Sequence, residues 1–184
     1  FVQKNFKDAI QDFNKLISLN QTDAFIFEKL AASYYENKEY DKSIGIYTTL
    51  IDSSNEEKPE YFFNRAKCYG YLSKMKEAEA DIHKTIKLKT FTFENEYFYL
   101  AYFYQKEQNL DRALYYYKKV IKEDKTNVEA NFQIISINDY KGEKTEKTIK
   151  NYENFLANFK NIPTEKKLFI EDRIKQLKRK QHFE

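Results

Sequence analysis

The sequence predicts an all-α array of stacked helical hairpins, and three observations carry that prediction. The first is a block of a small residue, a large apolar residue and a further residue of medium size that returns every 34 or 35 positions. It reads Ala9, Phe13 and Leu16, then Ser43, Tyr47 and Leu50, then Ala78, Ile82 and Thr85, then Ala113, Tyr117 and Val120. A weaker copy follows at Thr148, Tyr152 and Phe155. A fixed period of this length marks stacked supersecondary units. The second is a set between the blocks at i, i+3, i+4 and i+7, which is one face of a helix. It reads Phe27, Leu30, Ala31 and Tyr34, then Phe62, Arg65, Ala66 and Tyr69, then Tyr97, Leu100, Ala101 and Tyr104. A degenerate copy is Phe132, Ile135, Ser136 and Asp139. The third is punctuation: three Gly and two Pro in 184 residues are too few for a protein of many short strands.

The elements follow in order along one array, 1–184. Residues 1–21 hold only the second helix of a unit, with Phe6, Ala9, Phe13 and Leu16 on one face. Its partner helix is absent, and the chain opens on Phe1 rather than Met, so the expectation is that upstream sequence covers the bare face. Full units are expected at 22–55, 56–91, 92–126 and, in divergent form, 127–161. Each is a helix, a polar turn (36–39, 73–74, 105–109, 141–144) and a second helix. Ala31, Ala66 and Ala101 should face Ser43, Ala78 and Ala113, because small side chains at a crossing let helix axes approach. One hairpin cannot bury its apolar face alone, but a stack makes a continuous core.

Pro163 and Thr164 suit a helix start, and Ile170, Ile174 and Leu177 then mark one stripe, so 163–181 should form a closing helix. Its remaining faces carry Lys166, Lys167, Arg173, Lys175, Lys178, Arg179 and Lys180, which should meet water. Residues 141–184 carry 12 Lys/Arg against 7 Asp/Glu, net +5, on a body that sums to −2. That basic end raises contact with nucleic acid or an anionic membrane as a possibility, but Glu165, Glu171 and Asp172 interrupt it and a solvated helix face explains it as well.

The remaining composition excludes more than it identifies. An aromatic content of 17% argues against disorder. No apolar run approaches the ~20 residues of a membrane span. Cys68 is alone, so no internal disulfide is possible. It reads as a buried structural thiol whose pKa the adjacent Lys67 would lower modestly. His83 and His182 stand apart without metal-ligand spacing, His83 on an exposed helix face. No Gly-rich phosphate loop exists. The expectation is a chain with no catalytic residue, no cofactor and no metal, and its compartment, cytoplasmic or periplasmic, stays open.

The paired patterns resemble the tetratricopeptide repeat family over residues 1–160. Tyr40, Ser43, Tyr47 and Leu50, and Met75, Ala78, Ile82 and Thr85, follow its second-helix motif. Residues 64–72, with Arg65, Ala66 and Tyr69, follow its first. Departures are Arg65 for the usual Leu, Thr85 for the usual Ala, and no Pro at the repeat end. The resemblance implies a right-handed superhelical solenoid whose first helices line a concave groove for a partner segment. Transferred by position, the binding candidates are Tyr35, Phe63, Asn64, Lys67, Tyr71, Phe98, Tyr102 and Gln105. Other inward positions are Phe25, Glu28, Lys29, Ala32, Glu60, Asn95, Tyr99, Gln133, Ile134, Ile137 and Tyr140. Several of these aromatics are equally suited to packing between hairpins. The family's chaperone-binding subtype grips a C-terminal carboxylate with Lys and Asn on one first helix, Asn on the next, and Lys and Arg on the third. Only Asn64 matches, since Glu28, Ala32, Asn95 and Tyr99 occupy the other places. The resemblance thus implies a protein or peptide partner, other than a chaperone tail, held by a non-catalytic scaffold. The alternative is a structural or assembly subunit, envelope-associated or otherwise, that works through its N-terminal or convex face.

Overall fold

The computed structural model describes residues 6–89 and 92–183, and these form ten helices and no strand. They are α1 (Phe6–Ser18), α2 (Ala24–Glu36), α3 (Tyr40–Ser53), α4 (Pro59–Tyr71), α5 (Met75–Leu88), α6 (Glu94–Lys106), α7 (Leu110–Glu123), α8 (Val128–Tyr140), α9 (Thr145–Asn158) and α10 (Thr164–Phe183). Residues 1–5 of the expected half repeat, the expected boundary at residue 91 and the His182 side chain lie outside the described residues.

Local chemistry explains where the helices begin. The side chains of Asp23, Asn109 and Asn127 accept hydrogen bonds from the amides of Ile26 (3.0 Å), Arg112 (3.3 Å) and Ala130 (2.9 Å), each satisfying an otherwise orphaned first-turn donor. Pro59 opens α4, where its missing N–H costs nothing. The turns inside the hairpins share one closure. Lys38, Ser73, Gln108 and Gly142 are left-handed, with φ of 63°, 59°, 60° and 82°. The following amides reach back five residues: Glu39 to the Tyr34 carbonyl, Lys74 to Tyr69, Asn109 to Tyr104 and Glu143 to Asn138, at 2.8–3.0 Å. This is the Schellman cap, which satisfies the last carbonyls of the first helix and turns the chain back.

Packing is mainly between consecutive helices, with an added contact between α4 and α6. Ile10, Leu30 and Tyr34 join α1 to α2, with Ile46 of α3 packed on them. Ala31, Tyr47, Leu50 and Tyr61 join α2, α3 and α4. The largest cluster runs from Ala66 through Leu100, Ala101, Tyr117 and Val120 to Ile137. Ala31, Ala66, Ala101, Ser43, Ala78 and Ala113 are all fully buried. The Ser43 hydroxyl donates to the Ala31 carbonyl at 2.9 Å, so the two helices meet where the small residues lie. Arg65, the departure from the family's Leu, is held by a two-pronged pair with buried Asp81 (2.7 and 2.9 Å) and donates to Thr48 Oγ1 at 3.0 Å. Thr85 donates to the Asp81 carbonyl at 2.9 Å.

At the far end Ile170, Ile174 and Leu177 of α10 bury against Ile149, Tyr152 and Phe155 of α9. The polar side of this helix differs from the expectation of a uniformly solvated face. Lys166 pairs with Glu129 and lies 4.6 Å from the Phe132 ring centroid. Arg173 donates twice to Asp139 on α8, at 2.8 Å each. These two cations are fasteners that tie α10 to side chains of α8. Lys175 and Lys178 are paired with Asp172 (3.0 Å) and Glu153 (2.7 Å).

Candidate functional site

The first helices of three successive hairpins, α2, α4 and α6, bring a set of tyrosines and phenylalanines to one face. Tyr35 at the end of α2 meets Tyr71 at the end of α4, edge to face, with centroids 5.8 Å apart. Tyr71 in turn meets Tyr102 of α6 at 6.4 Å and Phe103 at 5.7 Å. Nearer the start of both helices, Phe63 meets Tyr99 edge to face at 5.5 Å. Such contacts fix ring planes as well as filling space. Tyr102 leaves 39% of its surface open to solvent, while Phe103 is fully buried.

Lys67 stands in the middle of this set. Its ammonium lies 4.9 Å from the Tyr35 centroid, 5.3 Å from Phe63 and 5.8 Å from Tyr99, one ring from each of the three helices. It takes part in no ion pair or side-chain hydrogen bond among the described residues, although Glu36 on α2 exerts an attraction from a distance. Burial pushes the Lys67 ammonium below the usual lysine range, because a low-dielectric surrounding disfavours the charged form. The same burial pushes the phenols of Tyr35 and Tyr99 up, so they serve as neutral donors and acceptors.

The other candidates divide between the surface and the core. Asn64 is partly buried and lines a cavity of about 360 Å³ with Glu28, Lys29, Tyr47, Lys58 and Tyr61. Phe98 turns toward α7, edge to face with Tyr117 at 5.7 Å. Gln105 is engaged twice, accepting from Tyr117 at 2.8 Å and donating to Gln133 at 2.9 Å. Ile137, one of the inward positions, is 3% exposed and belongs to the core, because α7 packs over it. Glu28 accepts from the Tyr61 hydroxyl and lies 3.7 Å from Lys58.

Two participants escaped the sequence reading. Tyr40, the first residue of α3, stacks on Tyr71 with ring planes 10° apart and centroids at 5.1 Å. Together with Tyr35, Glu36 and Lys38 these rings border a concavity of about 460 Å³. Phe103 fills the notch that Gly70 leaves on α4. A glycine inside an aromatic-rich helix was the available signal for that close approach.

The chemistry of the face is that of adhesion. It combines π surfaces, neutral hydroxyls, an amide and one ammonium. Cys68, directly behind it, is buried and free, with its sulfur 3.4 Å from Ser43 Oγ. Burial pushes its thiol up, which corrects the expected lowering by Lys67: desolvation outweighs the attraction of that cation. His83 is exposed and lies 3.7 Å from Glu79. No group of three or more His, Cys, Asp or Glu suited to a metal ion occurs among the described residues. No helix among them is long and apolar enough to cross a membrane.

A tetratricopeptide repeat model matches residues 97–126, a stretch that takes in most of α6 and all of α7. Among solved structures, MamA is similar with a TM-score of 0.69 at 18% identity, over 83% of this chain and 88% of that one. A tetratricopeptide repeat protein from Parabacteroides merdae gives 0.69 at 20% identity, over 98% and 68%. The first such domain of Spaghetti (RPAP3), solved bound to the HSP90 peptide SRMEEVD, gives 0.55 at 25% identity, over 64% and 91%. No curated protein matches the chain.

Proposed function

We propose that this chain, which matches a tetratricopeptide repeat over residues 97–126 and shares the fold of such proteins, is a non-catalytic scaffold holding a partner segment against the α2–α4–α6 face. The observation that carries this reading is the run of ring contacts from Tyr35 through Tyr71 to Tyr102, which crosses three hairpins and keeps a solvent-facing edge. Rigid aromatic surface gives contact area at small entropic cost, which is why such residues dominate interface energetics. A peptide bound to the similar domain of Spaghetti supports the same use of the fold. Among interaction repeats of this kind, catalysis is not the general role.

The partner is not a chaperone tail. Where a charge clamp needs a lysine, Glu28 is already engaged with Tyr61 and Lys58, and the lost cations remove the charge-assisted bonds that such recognition rests on. A nucleic-acid role for the basic end is also disfavoured, since Lys166, Arg173, Lys175 and Lys178 are all paired with acids.

The test is selection of binders from a random peptide library on the purified chain, followed by the double substitution Tyr35→Ala and Tyr102→Ala. Binding should be lost while the helical circular-dichroism signal is kept. If binding survives and is lost instead on Tyr115→Ala, an exposed ring on α7, the assembly surface lies on the second helices and this reading is wrong.

A further inference from the structure

Among the rings of this face, Lys67 is a partly buried cation with no acceptor or anion paired to it among the described residues. An ammonium has three donors and a full charge, and its removal from water is costly unless an anion or acceptors replace the hydration. Three aromatic faces supply part of that replacement, each cation–π contact contributing in the range of about 0.5–2 kcal/mol. They accept no conventional hydrogen bond and bring no negative charge. The neighbouring cations are differently placed. Lys29 lies over the exposed Phe25 ring at 5.1 Å, Lys58 is joined to Glu28 and Tyr61, and Lys106 donates to the Tyr71 carbonyl at 3.1 Å. Lys67 therefore presents a single positive charge, fixed in direction by Tyr35, Phe63 and Tyr99 and without an anionic partner among the described residues.

We propose that Lys67 is the anchor for one aspartate or glutamate side chain within the partner segment, whose flanking apolar residues lie on Tyr35, Tyr71 and Tyr102. This rests on the reading of the α2–α4–α6 face as the binding surface. Charge complementarity selects a carboxylate, because one ammonium matches one negative charge and leaves no excess. Position selects a side chain over a chain terminus. A terminal carboxylate is gripped by donors from neighbouring helices as well, and α2 presents the methyl of Ala32 one turn before Tyr35, which donates nothing. A side-chain carboxylate reaches down to Lys67 while its backbone runs above the rings, with the partly buried Asn64 one turn before Lys67 on α4.

The experiment uses peptides selected from a random library in which both ends are chemically masked, with affinities read by fluorescence anisotropy. The expected result is a selected set sharing one acidic residue at a fixed place between apolar ones. Changing that acid to its amide should weaken binding to the unmodified chain about tenfold or more. With Lys67→Met the same peptide change should cost less than about twofold, and with Lys67→Arg the preference for the acid should remain. Lys67→Gln serves as the neutral variant if Lys67→Met does not keep its helical signal. Equal losses in the charged and neutral backgrounds, or binders that lack any acid yet depend on Tyr35 and Tyr102, overturn the anchor while leaving the face as the binding surface. Binders indifferent to Tyr35→Ala with Tyr102→Ala overturn the face itself. Tighter binding on unmasking the peptide's C-terminus, together with indifference to the acid-to-amide change, would likewise contradict an internal acid.

Discussion

The Cβ that Gly70 lacks would stand 2.2 Å from Cε2 of Phe103. The two helices α4 and α6 approach at this point because one residue has no side chain and the other fills the space with a ring. The consequence reaches the candidate site, since Phe103 supports both Tyr71 and Tyr102 from behind, at 5.7 and 5.6 Å.

Gly70→Ala should destabilise the chain although alanine is the better helix former. The propensity gain is about 1 kcal/mol, while forcing extra volume into a packed site costs about 1–3 kcal/mol. Phe103 is fully buried and cannot swing into solvent, so a net loss of about 1 kcal/mol is expected in urea unfolding. Adding Phe103→Leu should recover part of it, which a double-mutant cycle will measure.

Arg65→Leu restores the residue that the resembled family prefers, yet it should be among the most damaging changes. It leaves the buried carboxylate of Asp81 without its two-pronged partner, and an orphaned buried charge costs about 3–5 kcal/mol. Changing both residues to leucine should cost far less than Arg65→Leu alone. Urea titrations of the single and double variants check the order.

Ser73→Gly should stabilise. Ser73 holds φ of 59° in the Schellman turn between α4 and α5, a conformation that costs a residue with a Cβ about 1–2 kcal/mol. Glycine removes that strain but enlarges the freedom of the unfolded chain by about 0.5–1 kcal/mol. The expected gain is about 0.5–1 kcal/mol in the same titration. Gly142→Ala, at φ of 82°, should lose stability by a similar amount.

The C-terminal helix should respond to acid through Asp139. Hydrogen bonds from Arg173, with help from Tyr152, hold its carboxyl below the usual aspartate range against the opposing effect of burial. A carboxyl depressed in the folded state contributes stability that is complete above its unfolded pKa and is lost as pH falls through the lower folded value. Asp139→Asn should therefore lower stability by about 1 kcal/mol near neutrality, allowing for solvent screening at Arg173. The gap in thermal midpoint between the two proteins should be constant above about pH 5 and close below about pH 4.

Helix pairing was legible because it is written in residues that must repeat: a small residue at each crossing, such as Ala31, Ala66 and Ala101, recurs with the hairpin itself. The candidate face was legible only in outline. Phe98 and Tyr102 are one turn apart on the same helix side, and spacing treats them alike. Tyr117 of α7 comes to Phe98 and leaves Tyr102 open, a distinction made by the neighbouring helix. Arg65 looked like a flaw in the repeat, because its compensation by Asp81 lies on the next helix and has no fixed place in the motif. Tyr40 was visible as a motif position but not as the ring that stacks on Tyr71, since that pairing crosses from one hairpin to the next.

The most direct measurement of the central claim is aromatic-ring NMR of the chain titrated with a library-selected peptide. The account predicts that ring resonances of Tyr35, Tyr71, Tyr99 and Tyr102 shift together while those of Tyr115 and Tyr116 on α7 stay in place. Shifts confined to Tyr115 and Tyr116, with the α2–α4–α6 rings unmoved, would contradict it.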